Sequence, residues 1–243
     1  MVDAHCHIDL YPNPLSVIRA CEQQGIYTLG VTNLPSHFKL GVEHVRPCKR
    51  VRLALGMHPL YAAKHRAEWA LFTKCLPMTS YVGEVGLDFS AECIATQSQQ
   101  IESFRFVLKQ VGERKILSLH SRGAEMQVLS MLSEHRVPHA IFHWFTGTVE
   151  QARQIAAAGY YFSVNPAMIR SKKGRAIISV IPRGQLLTES DGPFIKIQHR
   201  SIEPADVREV YDYIAMLYRI SLREVLTEVE SNFRGLIHKA LQQ

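Results

Sequence analysis

Long apolar runs are missing from the 243-residue chain: nowhere do about 18 apolar residues follow one another, so no membrane-spanning helix is expected. The first ten residues, MVDAHCHIDL, lack a basic segment leading into an apolar one. No secretory leader is therefore expected, and the expected compartment is the cytoplasm. Cysteine is scarce. Cys6, Cys21, Cys48, Cys75 and Cys93 form an odd set without a C-x-x-C pair, which argues against a disulfide framework or a zinc knuckle and for reduced, partly buried thiols. No internal repeat, low-complexity tract or Ser/Gly linker divides the chain. Neither a G-x-S-x-G elbow nor a phosphate-cradling P-loop is present, so nothing supplies the usual protein nucleophile or nucleotide-triphosphate site.

What is present is a chain 47% hydrophobic and 21% charged, the composition of one folded α/β domain spanning 1–243. The net charge of +6 favours polyanionic partners such as nucleic acid, though many basic proteins bind none. Short apolar, β-rich runs recur at 2–9, 27–33, 51–58, 81–88, 116–121, 140–144, 160–165 and 186–191. Between them lie stretches of helical period at 15–24, 35–50, 67–75, 97–114, 125–134, 149–158 and 175–181. Another such stretch at 205–218 follows the last strand, and 222–238 reads as an added terminal helix. Eight strands alternating with helices predict a parallel sheet closed into a single (β/α)8 TIM-like barrel with an extra C-terminal helix. Gly25 and Gly159 sit where helices should stop.

Polar residues punctuate this pattern. The eight strands end, in order, in His5 and His7, Asn33, His58, Glu84 and Asp88, His120, His143, Asn165, and Asp191. In such a barrel the C-terminal strand ends converge on the rim that carries active sites. His5 and His7, two apart in a strand, project to one face and can chelate one ion. Glu84 lies in an apolar segment between Gly83 and Gly86, where a carboxylate is costly unless paired or metal-bound. Its two oxygens can bridge two cations, and the glycines permit close backbone approach. His120 and His143 each close an apolar run as further ligands. Asp191, before Gly192 and Pro193, can orient a water and take its proton. Nitrogen-rich ligation favours Zn²⁺ or Mn²⁺ over Mg²⁺.

Together and in this order, the strings DAHCHID at 3–9, GMHP at 56–59, GEVGLD at 83–88, HSR at 120–122, HWFTG at 143–147 and ESDGP at 189–193 resemble the TatD family of metal-dependent deoxyribonucleases, within the amidohydrolase-like barrels. A weaker match is NFRGL at 232–236. The resemblance covers essentially the whole chain and implies two divalent metal ions: His5, His7, Glu84 and Asp191 holding one, and Glu84, His120 and His143 the other. It further implies that Asp191 is the base for the attacking water and that His58 and Arg122 lie near the substrate phosphate. The chain departs from the family pattern at Leu60, often His; at Gly123, usually Asp; at Trp144, commonly small; and at Ser190, usually Thr. With the short segment 194–204, this form is similar to TatD-like subunits of bacterial anti-phage cassettes of the Qat type, which implies protein partners in a defence complex.

The expected substrate is DNA. Basic residues at 170–175 and 196–200 follow the last two strands, where they can hold phosphates, and Phe89, Trp144 and Phe194 can stack on unpaired bases of single strands or ends. Arg46, Lys49, Arg50 and Arg52 precede the third strand, on the opposite face. Two rival readings are an amidohydrolase acting on a C–N bond and a weakly active nucleic-acid-binding subunit. Many binuclear amidohydrolases use a carboxylated Lys at strand four, where this chain has Glu84, and that tilts the reading toward phosphoesters.

Overall fold

The apolar runs become short strands because each is bounded by turn residues and buried on both faces, as parallel strands under flanking helices must be. They are β1 (Val2–Cys6), β2 (Tyr27–Gly30), β3 (Val51–Leu53), β4 (Leu55–Met57), β5 (Tyr81–Gly86), β6 (Ile116–His120), β7 (Ala140–His143), β8 (Tyr161–Val164) and β9 (Leu186–Thr188). The computed structural model describes residues 1–197 and 199–242. Gln198, inside the basic segment 196–200, and Gln243, the last residue of the expected domain, lie outside the described residues.

Two parallel arcs form, one of β1, β2 and β3 and one running in order from β4 to β9. The expected third strand at 51–58 is interrupted at Ala54: β3 pairs with β2 and β4 with β5, so one stretch of chain serves both arcs. The break leaves Ala54 N–H to donate to Gly30 O at 2.7 Å, while Thr32 bonds across to Gly83 O and Glu84 N at 3.1 Å each. At the other seam β1 lies against β9: Asp191 N–H donates to His5 O at 2.9 Å and Thr188 Oγ to Val2 O at 2.5 Å. With β3 and β4 counted as one stretch, the strands follow the order of a (β/α)8 barrel.

Helices cover the outside: α1 (Pro14–Gln24), α2 (Pro35–Val45), α3 (His65–Cys75), α4 (Gln97–Val111), α5 (Glu125–Glu134), α6 (Val149–Ala157), α7 (Pro166–Arg170), α8 (Lys172–Ile178), α9 (Arg208–Tyr218) and α10 (Leu222–Gln242). Their ends follow local chemistry. Asn13 accepts from Ser16 N at the start of α1, with proline in its first turn, and Gly25 ends that helix in the left-handed region at φ 67°. Thr148 and Gln151 form a reciprocal capping box at the start of α6. The short α7 and a two-residue antiparallel pair, β10 (Lys196–Ile197) with β11 (Arg200–Ser201), were not expected from periodicity, because neither is long enough to show one.

Alternation along β1 shows how the barrel is filled. Val2, Ala4 and Cys6 belong to the apolar core, while Asp3 and His5, on the other face, reach polar partners on β6 and beyond β9. The N-terminal end of β1 is held from outside by the fully buried Tyr211 of α9, whose hydroxyl accepts from Val2 N–H at 2.8 Å. Removing that oxygen strands a buried donor, at a cost of about 1–3 kcal/mol. Tyr211→Phe should therefore lower unfolding stability by that amount in denaturant titrations, with metal content unchanged.

Candidate metal centre

Past the C-terminal strand ends the chain turns sharply, and the turns aim the polar residues inward. Glu84 lies in β5, directly after Gly83 and two residues before Gly86, and both positions require glycine. A Cβ at Gly86 (φ 135°) would stand 2.0 Å from His120 O, and one at Gly83 would stand 2.8 Å from Ser118 Cβ. The two glycines let β6 approach, which brings His120 onto the Glu84 carboxylate. Asp191 takes a left-handed backbone (φ 47°), as does Trp144 (φ 33°), each just beyond a strand. Strained backbone of this kind gathers at functional sites.

Glu84 is the centre of the cluster and is 1% exposed. Its Oε2 lies 3.0 Å from His7 Nε2, 3.4 Å from His5 Nε2 and 3.2 Å from His58 Nε2. Its Oε1 lies 2.5 Å from His120 Nδ1 and 2.8 Å from His143 Nε2. Asp191 Oδ1 approaches His5 Nε2 and His7 Nε2 at 3.7 and 3.8 Å. The structure thus brings His5, His7, His58, Glu84, His120, His143 and Asp191 together. Arg122 instead stands at the exposed rim, 3.5 Å from Glu92. All eight line or adjoin one cavity of about 660 Å³, whose mouth carries Trp144 and the exposed Leu60 and Phe194.

Electrostatics follow from burial opposed by proximity. Burial opposes the charge of Glu84, yet His58, His143 and His120 hold its carboxyl well below the ordinary range. Burial likewise disfavours charged imidazoles. It takes His5 well below and His58 below the usual value, whereas beside Glu84 the His143 ring is held well above it and His120 above it. Burial pushes Asp191 up to about 7.

The donor set fits divalent cations. Three groups of three ligand atoms lie within 4.8 Å of one another: His5, His7 and Glu84; His5, His143 and Asp191; and His58, Glu84 and His120. Asp191 Oδ1 is moreover buried with no hydrogen-bond partner, a costly state that a cation relieves. Behind the cluster stand residues whose roles sequence did not reveal. Ser118 Oγ lies 2.7 Å from His5 Nδ1, and Asp88 Oδ2 lies 2.8 Å from His120 Nε2. Glu189 accepts from Trp144 N and Asn165 Nδ2 at 2.9 Å each, and from Ser163 Oγ, with His143 Nδ1 3.7 Å away. Asp3 accepts from the Ser190 hydroxyl at 2.6 Å. The alternation of ILSLH marks Ser118 as sharing a face with His120, a weak signal; its pairing with β1 is not visible in sequence.

Two of the expected phosphate-binding cations are already engaged. Arg170 forks onto Glu209 at 3.2 and 2.6 Å, and Arg200 onto Asp206 at 2.6 Å twice.

The family described as "TatD related DNase" matches residues 2–238. The chain belongs to the TatD family. Relatives include human "Deoxyribonuclease TATDN3", 27% identical over 98% of this chain and 95% of that protein. Another is the "Uncharacterized metal-dependent hydrolase YcfH" of Escherichia coli K12, 28% identical over 98% and 96%. The "3'-5' ssDNA/RNA exonuclease TatD" of Cronobacter turicensis is 30% identical over 63% of this chain and 61% of its own length. Among solved structures, YJJV, a TATD homolog from E. coli K12, superposes with a TM-score of 0.85 at 24% identity over 97% of both chains, a likeness of fold. This TatD-family chain is a metal-dependent hydrolase of the deoxyribonuclease type. Among the described residues no helix is long and apolar enough to cross a membrane.

In a (β/α) barrel, residues toward the C-terminal ends of the strands serve the site, while the rest of the strands hold the fold. His5→Ala, Glu84→Ala and His120→Ala should each lower bound metal, by elemental analysis, while circular dichroism shows the barrel intact.

Proposed function

We propose that the chain hydrolyses phosphodiester bonds of single-stranded DNA or of DNA ends, using two divalent cations that share Glu84. The observation that carries this reading is the division of the Glu84 carboxylate, with Oε2 toward His5 and His7 and Oε1 toward His120 and His143. One acidic side chain thereby addresses two ligand sets, with Asp191 beside the first. Cations held by these residues would supply Lewis acidity toward a phosphoryl oxygen and would acidify water, and the imidazole-rich ligands favour Zn²⁺ or Mn²⁺.

The protein's own groups do the rest. Asp191, with an unpartnered buried oxygen, orients the attacking water and accepts its proton. His58, from inside the cavity, and Arg122, from its rim, neutralise charge that builds on the non-bridging oxygens. Preference for unpaired nucleotides rests on Phe194 and Trp144 at the mouth. Phe194 is 56% exposed and meets His7 edge-on at 5.0 Å between ring centroids, so its open face can receive a base.

Purified protein with Mg²⁺, Mn²⁺ or Zn²⁺ on end-labelled single-stranded DNA, beside a panel of small amides, tests the reading. DNA cleavage without amide turnover is expected, and the reverse would contradict it. Asp191→Asn keeps the shape of the turn and cannot take the proton. It should bind DNA yet lose about a hundredfold to ten-thousandfold in cleavage rate, and near wild-type cleavage would remove Asp191 as the base.

A further inference from the structure

Each imidazole that points one nitrogen at the Glu84 carboxylate has a second nitrogen, and where that nitrogen has a partner, the partner decides what the ring can offer. His120 turns Nε2 to the Asp88 carboxylate at 2.8 Å, and His5 turns Nδ1 to the Ser118 hydroxyl at 2.7 Å. Both partners can accept a hydrogen bond from a ring N–H, so the nitrogen facing Glu84 can keep its lone pair for a cation. His58 is the opposite case. Its Nδ1 lies 3.1 Å from the backbone N–H of Leu60, which can only donate. That nitrogen must therefore be the bare one, and the proton stands on Nε2, facing the cavity 3.2 Å from Glu84 Oε2. A ring fixed this way is a hydrogen-bond donor. To ligate a metal through Nε2 it would have to carry its proton on Nδ1, against another N–H.

The turn that enforces this tautomer is itself held. His65, at the start of α3 and 1% exposed, places Nε2 3.0 Å from the carbonyl oxygen of His58. The contact requires Nε2–H on His65 and leaves its Nδ1 buried without a partner. An unpaired buried acceptor is destabilising, and an apolar side chain in the same place would avoid that. The His58 carbonyl also accepts from Tyr61 N–H at 2.9 Å, so its hydrogen bonding does not depend on His65. Fold stability therefore gives little reason for a histidine at 65.

The geometry points to His65 as a positioning residue: it anchors the 58–60 turn so that His58 faces the substrate as a fixed Nε2–H donor and stays out of the metal ligand set. This inference rests on the proposed phosphodiester hydrolysis for its kinetic consequence, but not for its tautomer.

Three His65 variants and a double mutant test it in the metal-loaded protein with single-stranded DNA. Gln carries an amide at the reach of Nε2, Asn only at the reach of Nδ1, and Leu carries no donor. His65→Leu and His65→Asn should lower kcat about a hundredfold, the scale of a small misplacement of a reacting group, with KM, metal per chain and melting temperature little changed. His65→Gln should restore most of the rate. In a His58→Ala background, His65→Leu should have no further effect. Nitrogen-15 spectra of wild-type protein should show His58 protonated on Nε2 and bare on Nδ1, and His65→Leu should mix the two forms. Additive losses with His58→Ala, loss of metal in His65→Leu, no rescue by Gln, or a His58 protonated on Nδ1 would each overturn it. If the wild type cleaves no phosphodiester, the proposed function fails, while the nitrogen-15 result still judges the tautomer.

Discussion

One buried carboxylate organises this protein. Glu84 is removed from water and ringed by five imidazoles, an arrangement in which its charge survives only because positive charge stands beside it. The constraint reaches outward. β5 needs glycine on both sides of Glu84 so that β6 can close in, and β6 then brings His120 to one oxygen while its Ser118 supports His5, which faces the other. The seam between β1 and β9 serves the same centre, since the bond from Asp191 N–H to His5 O ties the two ends of the barrel together at two of the proposed ligands.

Sorting the histidines by what lies behind them separates residues that look alike in sequence. His58 and His120 both project from strand ends toward Glu84, and ligand-atom proximity alone groups them in one potential metal site. Behind His120 is a carboxylate and behind His58 a backbone N–H, so one presents a lone pair and the other a proton. A hydrolase needs both kinds of group: ligands that fix cations, and donors that meet the phosphate as charge develops on it.

Much of the barrel was legible because apolar strand runs and helical periods are local signals. The His, Glu and Asp residues at the ends of those runs were legible for the same reason. Strand limits were read too far: Asn33, Asp88, Asn165 and Asp191 lie beyond the paired residues, in the turns that aim them. The break at Ala54 depends on which neighbour each half of the strand pairs with, and no local pattern encodes that choice. His65 lies outside the helical stretch expected at 67–75, although α3 begins there, and Ser118 reads as a small residue in an apolar strand. Their roles arise from contacts with residues 7 and 113 positions away. Arg170 and Arg200 illustrate the converse, since sequence offers them as cations that can hold phosphates and the fold pairs them with Glu209 and Asp206.

In the proposed mechanism two cations divide the Glu84 carboxylate between them while His58 remains outside both ligand sets. Anomalous diffraction from crystals loaded with Mn²⁺ measures this directly. Two peaks are expected, one at His5, His7 and Asp191 and one at His120 and His143, each touching a different Glu84 oxygen and neither bound to His58. A single peak ligated by His58, or peaks away from Glu84, would contradict it.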